Sequence, residues 1–126
     1  MTPTECPFCN LPEGRIWLQT DSAIALLDNF PVSPGHTLVV PGDHVGGLME
    51  LPENDLSEIW SLVAHVRKLL LEKYKPNGFN IGINEGKAAG QTVAHAHIHI
   101  IPRFNGDVPD PRGGVRWVIP DKAKYW

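Results

Sequence analysis

Histidine and apolar residues alternate strictly in the run Ala94-His95-Ala96-His97-Ile98-His99-Ile100-Ile101. On an extended strand successive side chains point to opposite faces. A spacing of two therefore gathers His95, His97 and His99 on one side and Ala96, Ile98 and Ile100 on the other. The apolar side suits a core. The imidazole side concentrates three groups that titrate near neutral pH and serve as nucleophile, proton carrier or metal ligand. The run is internal, interleaved with apolar residues and flanked by a glycine-containing loop and Pro102. An affinity tag, by contrast, is contiguous and terminal.

The rest of the chain supplies partners for that strand. Arg15 to Gln19 and Ala23 to Leu27 are short apolar stretches around Thr20-Asp21-Ser22 and read as a hairpin. Pro31 and Pro34-Gly35 force a turn, and His36 to Val40 reads as a third strand ended by Pro41-Gly42. Pro52 opens one helix, Glu53 and Asp55 complement the positive end of its dipole, and Pro76-Asn77-Gly78 stops it. Leu56, Ile59, Trp60, Val63, Arg67, Leu70 and Tyr74 step by three or four and form its inward face, which places Trp60 in the core. His65 falls off that stripe and reads as solvated. Phe79 to Asn84 is a fourth strand, Glu85 to Gly90 a turn, and the histidine run a fifth strand antiparallel to the fourth. Beyond Arg103 proline and glycine dominate, with Val115 to Ile119 as a short strand candidate. The reading is one α+β domain over residues 1–126, an antiparallel sheet of about five strands with one main helix packed on it.

A chain of 126 residues supports one such core but not two. Its formal net charge of -3, without a basic patch, argues against a nucleic-acid polymer as partner. No apolar run approaches the roughly 20 residues that span a bilayer, and the chain reads as cytoplasmic with no membrane partner. Cys6 and Cys9 are too few for a disulfide framework. Cys6-Pro7-Phe8-Cys9 has the gap of a zinc half-site, which needs two further ligands. A redox dithiol, whose usual strand-to-helix context is missing, and a pair of inert thiols are the alternatives.

The segment Asn84-Glu85-Gly86-Lys87-Ala88-Ala89-Gly90-Gln91-Thr92 leads directly into the histidines. Glycines let a backbone approach an anion closely, turn amides form an anion-binding nest, and Gln91 and Thr92 add side-chain donors. The residue order is not that of a nucleotide-triphosphatase P-loop. Beside three imidazoles, the segment reads as a phosphate cradle.

These motifs resemble those of the histidine triad (HIT) family. His95-Ala96-His97-Ile98-His99-Ile100-Ile101 matches its His-φ-His-φ-His-φ-φ pattern, where φ is apolar. Gly90-Gln91-Thr92-Val93 and Pro34-Gly35-His36-Thr37-Leu38-Val39-Val40-Pro41 are similar as well. The resemblance runs from about Cys6 to Arg103 and looks closest to zinc-containing bacterial members and to hydrolases of dinucleoside polyphosphates. It implies a HIT-like fold and nucleotidyl transfer to water, with His97 attacking the α-phosphorus to give a nucleotidyl-histidine that water then cleaves. His99 would bond the phosphate and assist the leaving group, while Asn84, Gln91 and Thr92 donate to its oxygens. Asp28 matches the position that holds the ribose hydroxyls, and His36 one that supports the edge of the site. The resemblance also implies structural zinc on Cys6, Cys9, His44 and His95, and a twofold homodimer.

Other readings remain open at this level. A nucleoside phosphoramidase would use the same residues. In a metallohydrolase all three histidines would bind a catalytic metal that activates water, although no nearby carboxylate completes such a site. A non-catalytic nucleotide-binding or interaction module is the alternative of a different class. Arg112 and Arg116 are candidates for distal phosphates, against the plainer reading of a solvated tail.

Overall fold

The computed structural model describes residues 2–126. Five strands, β1 (Leu18–Gln19), β2 (Ala23–Leu27), β3 (Thr37–Pro41), β4 (Gly78–Ile83) and β5 (Ile98–Arg103), form one antiparallel sheet in the order β1-β2-β3-β5-β4. The main helix α1 (Glu53–Tyr74) connects β3 to β4, and a short α2 (Pro120–Ala123) lies in the tail. Among the described residues no helix is long and apolar enough to cross a membrane.

Strand alternation divides the sheet into two working faces. Ala23, Ala25, Val39, Ala96, Ile98 and Ile100 pack under α1 against Ile59, Leu62, Val63, Val66 and Leu70. Burying each of the larger of these side chains stabilises the fold by about 2 kcal/mol. On the opposite face Leu26, Leu38 and Val40 meet Ile24, Phe8 and Leu11 from the N-terminal segment. The central strand β3 is buried throughout, as expected where both faces are covered.

The helix begins after Pro52 and ends where Lys75 turns left-handed (φ 54°) before Pro76, which cannot continue it. Its buried stripe differs from the sequence expectation. Leu62 and Val66 are buried, Arg67 is exposed with its guanidinium 5.2 Å over the Phe79 ring, and Trp60 is 39% exposed. The stripe follows Ile59, Leu62, Val63, Val66 and Leu70, and Trp60 lies beyond its edge. His65 is exposed, as expected.

Two further expectations change. Residues 114–118 form a 3-10 turn, not a strand, folded back by bonds such as Arg116 N–H to Gly113 O (2.9 Å). The fifth strand starts only at Ile98, because the preceding backbone bonds elsewhere: Ala96 N–H donates to Val45 O (2.7 Å). The alternation of faces nevertheless persists through residues 95–97, with Ala96 in the helix-side core.

Gly35 shows how tightly the turn before β3 meets the helix. It has φ +86°, and a Cβ there would lie 2.9 Å from the Tyr74 ring and 3.2 Å from Leu70. Replacing Gly35→Ala should cost about 1–3 kcal/mol in urea unfolding, whereas Gly14→Ala, with nothing within 4 Å of its Cβ position, should cost less than about 0.5 kcal/mol.

Candidate active site and metal centre

The two thiols are set by the N-terminal loop. Asn10 donates from Nδ2 to Pro3 O (2.9 Å) and Cys6 O (2.8 Å), tying that loop around itself. Cys6 and His95 are fully buried. His95 donates from Nε2 to Pro41 O (2.8 Å), which leaves its Nδ1 as a lone pair. That Nδ1 lies 3.4 Å from Cys6 Sγ, 3.5 Å from Cys9 Sγ and 3.2 Å from His44 Nδ1, and His44 Nδ1 lies 3.2 Å from Cys9 Sγ. A tetrahedral zinc, about 2.3 Å from sulfur and 2.0 Å from nitrogen, places its ligand atoms roughly 3.3–3.8 Å apart. The four side chains fit that cage. Burial and the neighbouring Cys6 push the Cys9 thiol up, so a thiolate pair here calls for a cation.

His97 is turned the other way. Its Nδ1 lies 2.9 Å from the His95 carbonyl oxygen, which can only accept, so Nδ1 carries the proton and Nε2 is the ring's lone pair. His99 receives a tautomer by relay. Val32 N–H donates to His36 Nδ1 (3.2 Å), which leaves the His36 proton on Nε2. That proton is given to His99 Nδ1 at 2.9 Å, and the His99 proton therefore sits on Nε2. Asp28 places Oδ2 3.5 Å from His36 Nε2, while its Oδ1 accepts from Phe30 N–H (2.9 Å). Burial is the main cause lowering the pKa values of both His36 and His99, and His97 adds to it at His99. Asp28, His36 and His99 are near enough to share an ion. The hydrogen on His36 Nε2 makes them a hydrogen-bonded chain instead.

A cleft of about 460 Å³ opens on this face of the sheet. Its lining combines apolar Pro7, Phe8, Leu11, Leu26 and Leu38 with polar Asp28, Asn84, Thr92, His97 and His99. A cleft that mixes apolar and polar lining suits a small amphipathic ligand such as a nucleotide. Gly86 (φ 87°) and Gly90 (φ 94°) bracket the loop between β4 and the histidines, and Gly90 reaches the cleft wall.

The structure thus gathers Asp28, Asn84, Thr92, His97 and His99 in one cleft, with His36 behind His99 and with Cys6, Cys9, His44 and His95 in an adjoining cluster. Gln91 is used differently. Its Oε1 accepts from Gly86 N–H (2.8 Å) and its Nε2 donates to Gly46 O (2.9 Å) and Val93 O (3.0 Å), so its amide braces the loop. Arg112 and Arg116 line no part of the cleft. Arg112 pairs with Asp110 (3.0 Å) and covers the Trp126 ring at 4.5 Å. Arg116 donates to Ala123 O and Lys122 O and covers Tyr125 at 5.0 Å. Both arginines are spent on folding the tail. Sequence reasoning passed over Phe8, Leu11 and Arg15 as cleft-lining residues. Only an aromatic inside the Cys-x-x-Cys step hinted at the first.

Comparison with known proteins points to one family. A family model described as HIT domain matches residues 12–106. An uncharacterized HIT-like protein of Saccharolobus solfataricus is 40% identical over 109 residues, which cover 83% of this chain and 78% of that one. The bis(5'-nucleosyl)-tetraphosphatase [asymmetrical] of Schizosaccharomyces pombe is 35% identical over 106 residues, 83% of this chain but only 58% of that enzyme. The crystal structure of a Zn-bound histidine triad family protein from Mycobacterium smegmatis superimposes with a TM-score of 0.74 at 32% identity, covering 97% of this chain and 96% of that one.

Because the folded pKa values of His36 and His99 lie below the unfolded value of about 6.5, the unfolded chain takes up protons first as pH falls. Their contribution to stability is complete above that value and is lost as pH falls through the depressed values. Thermal unfolding from about pH 8 to about pH 5 should show a steeper loss in the wild type than in His99→Gln, which lacks one of the two groups.

Proposed function

The chain belongs to the HIT domain family, and on that premise we propose that it hydrolyses nucleotidyl linkages at the α-phosphorus through a nucleotidyl-histidine formed on His97. The observation that carries this reading is the Nδ1–H bond from His97 to the His95 carbonyl, which leaves Nε2 as a lone pair in a cleft beside a neutral His99. The His97 and His99 rings are 5.1 Å apart between centroids. Nε2 of His97 forms the bond to phosphorus as the bond to the leaving oxygen breaks; the leaving phosphate departs as an anion that accepts a hydrogen bond from His99 Nε2–H. Water then attacks the adduct and gives its proton to solvent, His99 Nε2–H stays hydrogen-bonded to a phosphate oxygen, and His97 leaves as neutral imidazole. Asn84 and Thr92 donate where charge develops on phosphate, and Asp28 accepts from the ribose hydroxyls. Gln91 serves by holding the loop. The base lies against the apolar part of the cleft lining, on Leu26 and Leu38.

Dinucleoside polyphosphates are the proposed substrates, in keeping with the relative named a tetraphosphatase. Phosphoramidates present the same phosphorus to the same residues and belong in the same assay. A three-histidine catalytic metal is disfavoured because the His95 ring faces the thiols, away from His97 and His99. Cys6, Cys9, His44 and His95 are proposed to hold zinc, which when bound supplies a structural cross-link and no chemistry at phosphorus. Free thiols suit a reducing, cytoplasmic setting. The open edge of β4, beside exposed Val115 and Val118, supports pairing of two copies.

His97→Ala should lower the kcat for diadenosine tetraphosphate by roughly a thousandfold or more while leaving AMP affinity within about threefold. Mass spectrometry of acid-quenched wild type should show a nucleotidyl increment on the peptide carrying residue 97. Rapid turnover without that increment would sink the covalent route. Cys9→Ser should lose zinc in elemental analysis and lower the thermal midpoint by roughly 5–10 °C.

A further inference from the structure

We propose that the metal knuckle positions the nucleophile: through Phe8 and His95, ligation of the cluster holds His97 in the tautomer and place from which it attacks. The proposal rests on the reading of His97 as nucleophile and of Cys6, Cys9, His44 and His95 as zinc ligands.

Three groups surround the His97 ring. The His95 carbonyl takes its Nδ1–H at 2.9 Å, the Phe8 ring lies 5.3 Å away at a tilt of 56°, and the His99 ring lies 5.1 Å away. The first two belong to the cluster. Phe8 sits between the two cysteine ligands and also meets the His95 ring edge-on at 5.7 Å. His95 is held at both ring nitrogens, by Pro41 O on Nε2 and by the cluster on Nδ1, so its peptide has little freedom to turn. The carbonyl that fixes the His97 proton belongs to that same residue. Losing the cluster would free the His95 ring, relax its carbonyl and withdraw Phe8, after which the His97 proton is no longer confined to Nδ1. Catalysis depends on such placement, since a shift of about 1 Å in a reacting group can cost roughly a hundredfold.

Phe8 is therefore a positioning residue, and its role separates from that of a simple wall for the base. Zinc-loaded wild type, Phe8→Ala and Phe8→Tyr should be compared after 15N labelling of histidine. Long-range 1H–15N correlation should show His97 protonated on Nδ1 in the wild type and exchanging between both nitrogens in Phe8→Ala. At unchanged zinc content, kcat should fall about tenfold or more, AMP affinity should move less than about threefold, and Phe8→Tyr should restore both tautomer and rate. A weakened AMP affinity with unchanged kcat and an unaltered Nδ1–H signal would reduce Phe8 to a wall of the cleft and overturn the proposal.

Where Phe8→Ala does not fold, chelation of the wild type gives the second measurement. The His97 signal should lose its Nδ1–H signature and regain it on adding zinc; an unchanged signal overturns the proposal. The underlying reading fails separately, through wild type that binds no zinc or forms no adduct.

Discussion

The carbonyl oxygen of His95 accepts a hydrogen bond from a side chain two residues later, and the site depends on that bond more than on any other. A backbone carbonyl has no proton to give, so the contact fixes which nitrogen of His97 is free. The same stretch of chain gives its Ala96 N–H to Val45, outside the sheet. Residues 95–97 thus stand where a strand would run but do not spend their polar groups on a ladder. One carbonyl is diverted to a side chain, and the regular sheet resumes at Ile98, where β5 pairs with Val39 and Ile83.

Alternation lets this diversion occur without cost to the core. Ala96, Ile98 and Ile100 stay under α1 while the imidazoles occupy the opposite face. There the N-terminal loop brings Phe8 and Leu11 onto Leu26, Leu38 and Val40. This second, small core is also the floor and wall of the cleft, so the packing that stabilises the sheet shapes the ligand's apolar slot. The four-residue cluster pins the loop in place, which a few apolar side chains on a short N-terminal segment would do only weakly.

Much of this was legible in the sequence, for identifiable reasons. Spacings of two and of three or four marked β5 and α1, and Pro76-Asn77-Gly78 marked where α1 stops, because these signals are local. The Cys-x-x-Cys step showed a half-site from its spacing alone. What escaped was decided by tertiary contacts. Trp60 fits an apolar count on the helix yet lies beyond the stripe that meets the sheet. Gln91 looks like a free donor until Gly46 and Gly86, distant or across a turn, claim its amide. Arg112 and Arg116 look like anion ligands until Trp126 and Tyr125 come back to stack on them. Phe8 had no periodicity to announce it, since an isolated aromatic in a loop is read only by what it touches.

A net charge of -3 and a cleft whose cationic side chain is Arg15 offer a polyphosphate little electrostatic attraction. His99 meets it as a neutral hydrogen-bond donor. Burial lowers the pKa of His99, so it holds its Nε2 proton as a neutral donor. The hydrogen bond it donates strengthens as an oxygen gains negative charge in the reaction. A neutral imidazole nucleophile likewise approaches an anionic phosphorus without the repulsion that a thiolate or carboxylate would meet. Once bonded to phosphorus, it carries the positive charge that eases its later departure. Binding energy then comes from the apolar slot and from dipoles along the loop, and charge appears only along the reaction coordinate, where stabilising it accelerates turnover instead of deepening the ground state.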